Sequence, residues 1–318
     1  MSKPVASAGD TAPKTETLEP VGDGIWALTE SDNNVGAIEG ENFLVAFDAR
    51  ATPLMARRWL EQLRQHTDKP VKFLVLSHYH AVRVLGATAF EAEQIVASAE
   101  TERLIAERGK GDWDVELGRL PWSFDGHEEI PGLTWPTLTF DRNLSIDLGG
   151  NRGTVELSWL GKGHTSGDIV AYVPSQKVLF TGCLVENGSV VYSGDAYHRD
   201  WMTGTLDKIA ELDVEVLVGG GGRIARTKAE AQRAIDLTRD FITRLFRAVE
   251  NVKHAGGDIR DAYRAAREQL LPDYGGMPVF EPAMVFDVQR VWEELDGKAP
   301  AIWSLARDHE VRSQLTKD

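Results

Sequence analysis

The chain has 318 residues and 42% hydrophobic content, enough to bury a large core in one or two domains, and its 35 Lys and Arg against 49 Asp and Glu leave a formal charge of −14. That charge repels phosphate backbones and anionic lipid surfaces, and no local basic patch overrides it, which argues against nucleic-acid and membrane partners. The single cysteine, Cys183, forms no intrachain disulfide and excludes a cysteine-rich zinc module, so any metal would be held by His, Asp or Glu with at most one thiolate.

Residues 1–20 carry no apolar run of signal-peptide length and are rich in Pro, Thr, Ser, Ala and charge, so a flexible leader is expected there. No later window reaches the roughly 18 uninterrupted apolar residues of a membrane span, and a lone thiol fits a reducing compartment; the expectation is a soluble, cytoplasmic protein. After Pro20 the segments GIWALTE, NVGAIEG and NFLVAFDA read as a β-meander punctuated by Gly, Asn and Asp. PLMARRWLEQLRQH then places Leu54, Met55, Trp59, Leu60 and Leu63 at helical spacing, and VKFLVLSH is a continuous apolar run typical of a strand covered on both faces.

A second unit follows in the strand QIVAS and the helix TERLIAERG, with Gly109 as its stop signal. From 110 to 140 the pattern weakens around Trp113, Trp122, Phe124 and Trp135, a segment that reads either as a functional loop or as aromatic cover for a sheet edge. Strands return in LSIDLG, TVELSWLG, DIVAYVP and KVLFTG. After VEVLVGGGG the chain turns helical, with Ile235, Phe241, Ile242, Leu245, Phe246, Val249 and Val252 on one face and further helices near 258–271 and 286–295. Such faces serve either the core or a contact between copies of the chain. The organisation expected is a leader over 1–20, an α/β domain over 21–225, and a helical extension over 226–318 packed on that domain.

Chemistry concentrates in two short runs. Ser77-His78-Tyr79-His80-Ala81-Val82-Arg83 follows the most apolar strand, and Gly163-His164-Thr165-Ser166-Gly167-Asp168 lies between two strands. Taken alone, a His-x-His pair at a strand exit is more often two surface or capped histidines than a ligand pair. Both runs, however, sit at carboxyl ends of strands, where α/β sheets place ligands, and three imidazoles with an open fourth position are a known way to hold catalytic zinc.

Together these runs resemble the metallo-β-lactamase-fold hydrolases. The run from His78 to Arg83 is similar to that family's HxHxDH signature and the run from Gly163 to Asp168 to its GHTxGD, while Phe180-Thr181-Gly182-Cys183 stands where the family carries FxGD and Val218-Gly219-Gly220-Gly221-Gly222 where it carries VPGHG. The resemblance spans about Val21 to Gly222 and implies a four-layer αββα sandwich, here with extra C-terminal helices. It also implies a first metal site on His78, His80 and His164. The second metal site of the family would need ligands where this chain has Val82, Arg83, Cys183 and Gly221. Valine cannot bind a metal and a guanidinium repels one, so two metals are not expected; the cofactor expected is one zinc ion per chain, or none.

Three readings stay open. The expected one is a hydrolase that uses a single zinc to activate water against an ester, lactone or thioester carbonyl, with Arg83 taking over part of the missing cation's role toward a substrate carboxylate or oxyanion. The second is a metal-free lyase or isomerase in which His164, Tyr79 or Arg83 moves protons, and the third is a non-catalytic member that binds a small molecule or a partner protein. Arg83 has an equal alternative as an ion pair with Asp168 or Asp195. Cys183 could close the coordination sphere, act as a nucleophile beside His164, or pack as a small buried residue, the last being preferred. Asp168 is expected to orient the ligand loop, and Tyr79, Glu186, Asp195, Tyr197 and His198 are candidates to line the pocket. A small-molecule substrate is the expected partner, with self-association through the C-terminal helices as a further option.

Overall fold

A computed structural model of the chain describes residues 6–12, 16–29 and 33–316. The strands β1 (Thr17–Gly22), β2 (Ile25–Thr29), β3 (Val35–Glu39), β4 (Leu44–Phe47), β5 (Val71–Val75), β6 (Gln94–Ser98) and β7 (Leu138–Phe140) form a seven-stranded sheet in sequence order. Its first four strands pair antiparallel and the remainder parallel. A second, five-stranded sheet takes β8 (Asn143–Asp147), β9 (Thr154–Ser158), β10 (Val170–Val173), β11 (Val178–Gly182) and β12 (Val216–Gly219) in the order β12-β11-β10-β9-β8. The helices are α1 (Ala8–Thr11), α2 (Pro53–Leu63), α3 (Ala81–Val84), α4 (Ala99–Arg119), α5 (His198–Asp200), α6 (Leu206–Ala210), α7 (Lys228–His254), α8 (Ile259–Tyr274), α9 (Phe280–Leu295) and α10 (Leu305–Thr316).

Period-two alternation divides the strand side chains between two cores. Ile25, Ala27, Val45 and Phe47 of the first sheet meet Ala171, Val173, Val178 and Phe180 of the second. Their neighbours Trp26, Leu28, Leu44 and Ala46 face the opposite way and pack with Ala56, Trp59 and Leu63 of α2. Gly36 lets the two sheets approach, since a Cβ there would collide with the Phe180 ring. On the far side, Leu179 and Leu217 lie under Ile235, Phe241, Ile242 and Leu245 of α7, which completes four layers. The helices α8 and α9 enter the same core through Ala266, Leu270, Met284 and Phe286. Among the described residues, no helix is long and apolar enough to cross a membrane.

Two expectations need correcting. The leader is not free through Pro20: Thr17–Pro20 pair with β2 as an edge strand, and α1 docks against the C-terminal helices. Val279, the N-cap of α9, provides no side-chain cap, and the leader fills the gap. Asp10 Oδ1 accepts from the Val279 N–H at 2.8 Å and Ser7 Oγ from the Glu281 N–H at 2.9 Å, so polar residues that composition reads as solvated satisfy a helix end. Residues 1–5 and 13–15 of that stretch lie outside the described residues.

The second correction concerns α4, which runs through Gly109 to Arg119. Gly111 is there because a Cβ would come within 2.6 Å of the Trp303 carbonyl, a close approach between helix and C-terminal segment rather than a helix end. Much of the expected irregular stretch is therefore helix. Beyond it come single turns at Pro121–Ser123 and His127–Glu129, with Phe124 buried and Trp135 exposed.

Candidate metal centre

The strand β5 ends at the mouth of the first sheet, and the chain leaves it through His78 and His80 before entering the one-turn helix α3. The loop between β9 and β10 brings His164 to the same point: the three imidazoles are buried, and their ring centroids lie 4.7–4.9 Å apart. One ring nitrogen of each falls within 4.8 Å of the others, an arrangement that could hold a metal ion.

Hydrogen bonds fix which nitrogens face inward. Ser77 Oγ donates to Asp48 Oδ2 at 2.8 Å and so accepts from His78 Nδ1, also at 2.8 Å. That leaves the His78 Nε2 lone pair buried with no partner among the described residues. His80 gives its Nε2 to Asp195 Oδ2 at 3.2 Å and turns Nδ1 toward His164 Nε2, 2.9 Å away. A carboxylate behind one imidazole and a serine–carboxylate relay behind another are the supports that orient metal-binding histidines. Burial, with the neighbouring histidines, holds His78 and His164 well below the usual histidine range, so both keep lone pairs free. Burial would also lower His80, but Asp112, Asp195 and Glu116 outweigh it and push it up to about 9.

Where the resemblance implies a second metal site, the residues of this chain contact one another instead. Arg83, 1% exposed, points back from α3, and its Nη1 donates to the Asn34 carbonyl at 2.9 Å. Nη2 donates to the Gly220 carbonyl at 2.7 Å and to Cys183 Sγ at 3.0 Å. Its acidic neighbour is Asp48 at 3.6 Å, not the Asp168 or Asp195 expected from sequence. The single turn of α3 explains this, because it carries Arg83 toward the end of β4 while Asp195 stands behind His80. Gly220 has no side chain to spare there: a Cβ would collide with Glu186 and come within 2.9 Å of Arg83 Nη2. Cys183 is half-buried, and burial pushes its thiol well above the usual range, so it meets Arg83 as a neutral group.

The other expected residues separate into two groups. Asp168 ties its own loop, accepting from the Thr165 N–H at 2.7 Å and the Thr165 hydroxyl at 2.8 Å. Glu186 lines the cavity with the histidines and Arg83. Burial raises Glu186 to about 7, against the pull of Arg83. Tyr79 lies elsewhere: its ring is tilted against that of His80 with centroids 4.4 Å apart and is buried with Leu104 and Ile105, and it does not line the cavity. His198 also turns away, to Glu294 Oε2 at 2.8 Å and Ser193 Oγ at 3.0 Å. Tyr197 faces Lys162 and Arg290.

Sequence reasoning missed Asp48, Asp112, Glu116, Arg119 and Tyr192. Asp112 and Glu116 accept the first N–H groups of α3, from Ala81 at 2.7 Å and Val82 at 3.0 Å, and so orient the turn that follows His80. Their four-residue spacing signals one helix face, legible once α4 is carried past Gly109. Asp48 stands at φ 62°, a strained conformation for a residue with a side chain, at the point where it supports both Ser77 and Arg83.

A hydrolase-type αββα fold with a buried three-histidine cluster at the strand ends defines a class, and comparison with known proteins gives the family. The family model of the metallo-beta-lactamase superfamily matches residues 28–221, and the chain belongs to that superfamily. It is 25% identical over 222 residues to a metallo-beta-lactamase type 2 of Bacillus sp. (strain 170), covering 66% of this chain and 77% of that protein. It is 27% identical to the 2,4-dinitroanisole O-demethylase subunit alpha of Nocardioides sp. (strain JS1661), covering 68% of this chain but only 60% of the relative. Among solved structures it is similar to a metallo-beta-lactamase from Pontibacter korlensis, with TM-score 0.56 and 20% identity over 71% of this chain and 99% of that one. The sec-alkylsulfatase Pisa1 from Pseudomonas sp. matches with TM-score 0.68 and 17% identity over 88% of this chain and 50% of that one. The larger coverage takes in much of the C-terminal helical region as well as the sandwich.

Proposed function

We propose that the protein is a hydrolase with a mononuclear zinc site on His78, His80 and His164, acting on an ester, lactone or thioester carbonyl. The observation that carries this reading is the His78 Nε2 lone pair, buried without a partner and converging with His80 Nδ1 and His164 Nε2. A buried acceptor with nothing to accept from is costly, and a cation that displaces the His80 Nδ1 proton and takes the three converging nitrogens as ligands removes that cost. When bound, such an ion supplies Lewis-acid polarisation and lowers the pKa of water to about 7.

The chain's own residues do the rest. Asp195 and Ser77 hold the two histidines of the first motif in register. The fixed Arg83 guanidinium places positive charge in the cavity where a second cation would stand, toward developing negative charge. Glu186, on the same wall with Ser189 Oγ donating to its Oε2 at 2.6 Å, is poised near neutrality to take a proton and return it to a leaving group. Elemental analysis of protein purified without added metal tests the reading: roughly one zinc per chain is expected, lost in His78→Ala. Near zero metal with turnover retained would favour a metal-free lyase or isomerase, and a value near two would end the account of Arg83.

A further inference from the structure

The cavity beside the histidines is also lined by residues that the chemistry above does not use. Arg119 ends α4, lines this cavity and is 5% exposed. Its Nε donates to Asp308 of α10 at 2.6 Å and its Nη1 to the Tyr192 hydroxyl at 2.9 Å, while its carbon lies 3.6 Å from the Phe286 ring centroid. Nη2 has no partner among the described residues. Ser123, in the turn directly after α4, lines the same cavity at 4% exposure, and its hydroxyl is likewise unpartnered.

An unmatched buried donor is costly, more so when charged, so two that line one cavity mark a place for a ligand's acceptor atoms. Both Nη atoms of Arg83 already donate to protein, and only its Nε is without a partner among the described residues. In Arg119, stacking on Phe286 and the Asp308 contact fix the guanidinium plane, while Nη2 is buried with no partner among the described residues. The apolar side chains Val190, Val279 and Pro282 line the same cavity.

We propose that Arg119 and Ser123 form an oxyanion-binding subsite, which takes the carboxylate, or an equivalent compact oxyanion, of an amphiphilic substrate whose apolar body lies along Val190, Val279 and Pro282. The subsite rests on the hydrolase reading for its place in a reaction, since it sets the substrate's distal end while the reacting bond lies at the histidines. Recognition itself is charge-assisted hydrogen bonding and needs no metal.

The test is calorimetric titration of the full chain, as purified and after chelator treatment, with hexanoate, hexanesulfonate and neutral hexanol. Either anion should bind about tenfold or more tightly than hexanol in both forms, the better of the two naming the planar or the tetrahedral oxyanion. Arg119→Gln should abolish that discrimination with an unchanged zinc content, and Arg119→Lys should restore part of it. If Arg119→Gln fails to fold, Ser123→Ala carries the test, with a severalfold loss of discrimination expected. Equal binding of hexanol and both anions by the wild type, or discrimination undiminished in the folded variants, overturns the proposal. Because the chelated form is measured separately, a protein without zinc can still pass, and a protein with one zinc can still fail.

Discussion

The cavity has two walls of different origin. One is built by short sequence motifs: His78, His80 and Arg83 lie within six residues on one strand exit, and His164 and Cys183 follow the same grammar at others. The other wall is assembled from Glu116 and Arg119 on α4, Tyr192 in a loop and Pro282 on α9, with no local pattern joining them. The first wall determines what chemistry the site can support, because ligand identity and charge reside in the motifs. The second determines what fits, because its residues are placed by tertiary packing of the C-terminal helices.

The largest expected effect breaks the motif wall. His78→Ala removes one of three imidazoles, and zinc content should fall from about one per chain to near zero, with hydrolysis of a 4-nitrophenyl ester lost together with it. Retained zinc would show that the convergent nitrogens are not the ligand set. Next comes Arg83→Ala, which strands Asp48, the Gly220 carbonyl and Cys183 without their cation. We expect a loss of about 3 kcal/mol in urea unfolding, since deleting one partner leaves a buried charge unpaired. Arg83→Lys should recover only part, for want of the two-pronged donor. An exposed Arg83 would instead change stability by less than about 0.5 kcal/mol.

The same division explains what could be read from sequence. The sandwich strands and the three histidines were legible because alternation and motif spacing are local signals, as in the apolar run from Val71 to Val75 leading to His78. Asp112 and Glu116 were not, because Gly109 reads as a helix stop, whereas α4 runs on to Arg119 and its Gly111 packs against the Trp303 carbonyl far along the chain. Arg83 was legible as a misfit in a ligand position, but its partner Asp48 was hidden, since nothing in one dimension brings the end of β4 to α3. The leader misled for a related reason: Ser7 and Asp10 look solvated until the uncapped start of α9 is in view.

The packed wall can be broken through α9. Glu294 holds His198 and accepts from its backbone N–H at 3.1 Å, fixing the loop that also carries Tyr192 and Asp195. Burial opposes ionisation of Glu294, but His198, the Arg199 N–H and Arg290 overcome it and hold its carboxyl down at about 2. A folded pKa below the ordinary 4.5 means that the stabilisation is present above that value and is lost as pH falls toward about 2. Glu294→Gln should therefore cost about 2 kcal/mol near neutral pH, and the gap to wild type should close in acid. A gap that stays constant with pH would place the effect in packing.

Asp287, two turns away on α9, titrates in the opposite sense. Its Oδ1 accepts from the Ser193 N–H at 2.6 Å, while its Oδ2 is buried with no partner among the described residues. Burial raises it to about 8 from 3.8, although the Ser193 contacts and Arg119 pull the other way. The folded state thus keeps a proton that the unfolded state has released, so its contribution to stability declines as pH rises through that window and is fully lost above about 8. Asparagine keeps the acceptor for Ser193 and cannot ionise. Asp287→Asn should match the wild type in thermal melts in acid near 3.8 and exceed it by a margin that grows as pH rises to about 8. If the variant were instead less stable at every pH, the Ser193 contact would require the carboxyl itself, and the packed wall would depend on a charge that α9 was not expected to carry.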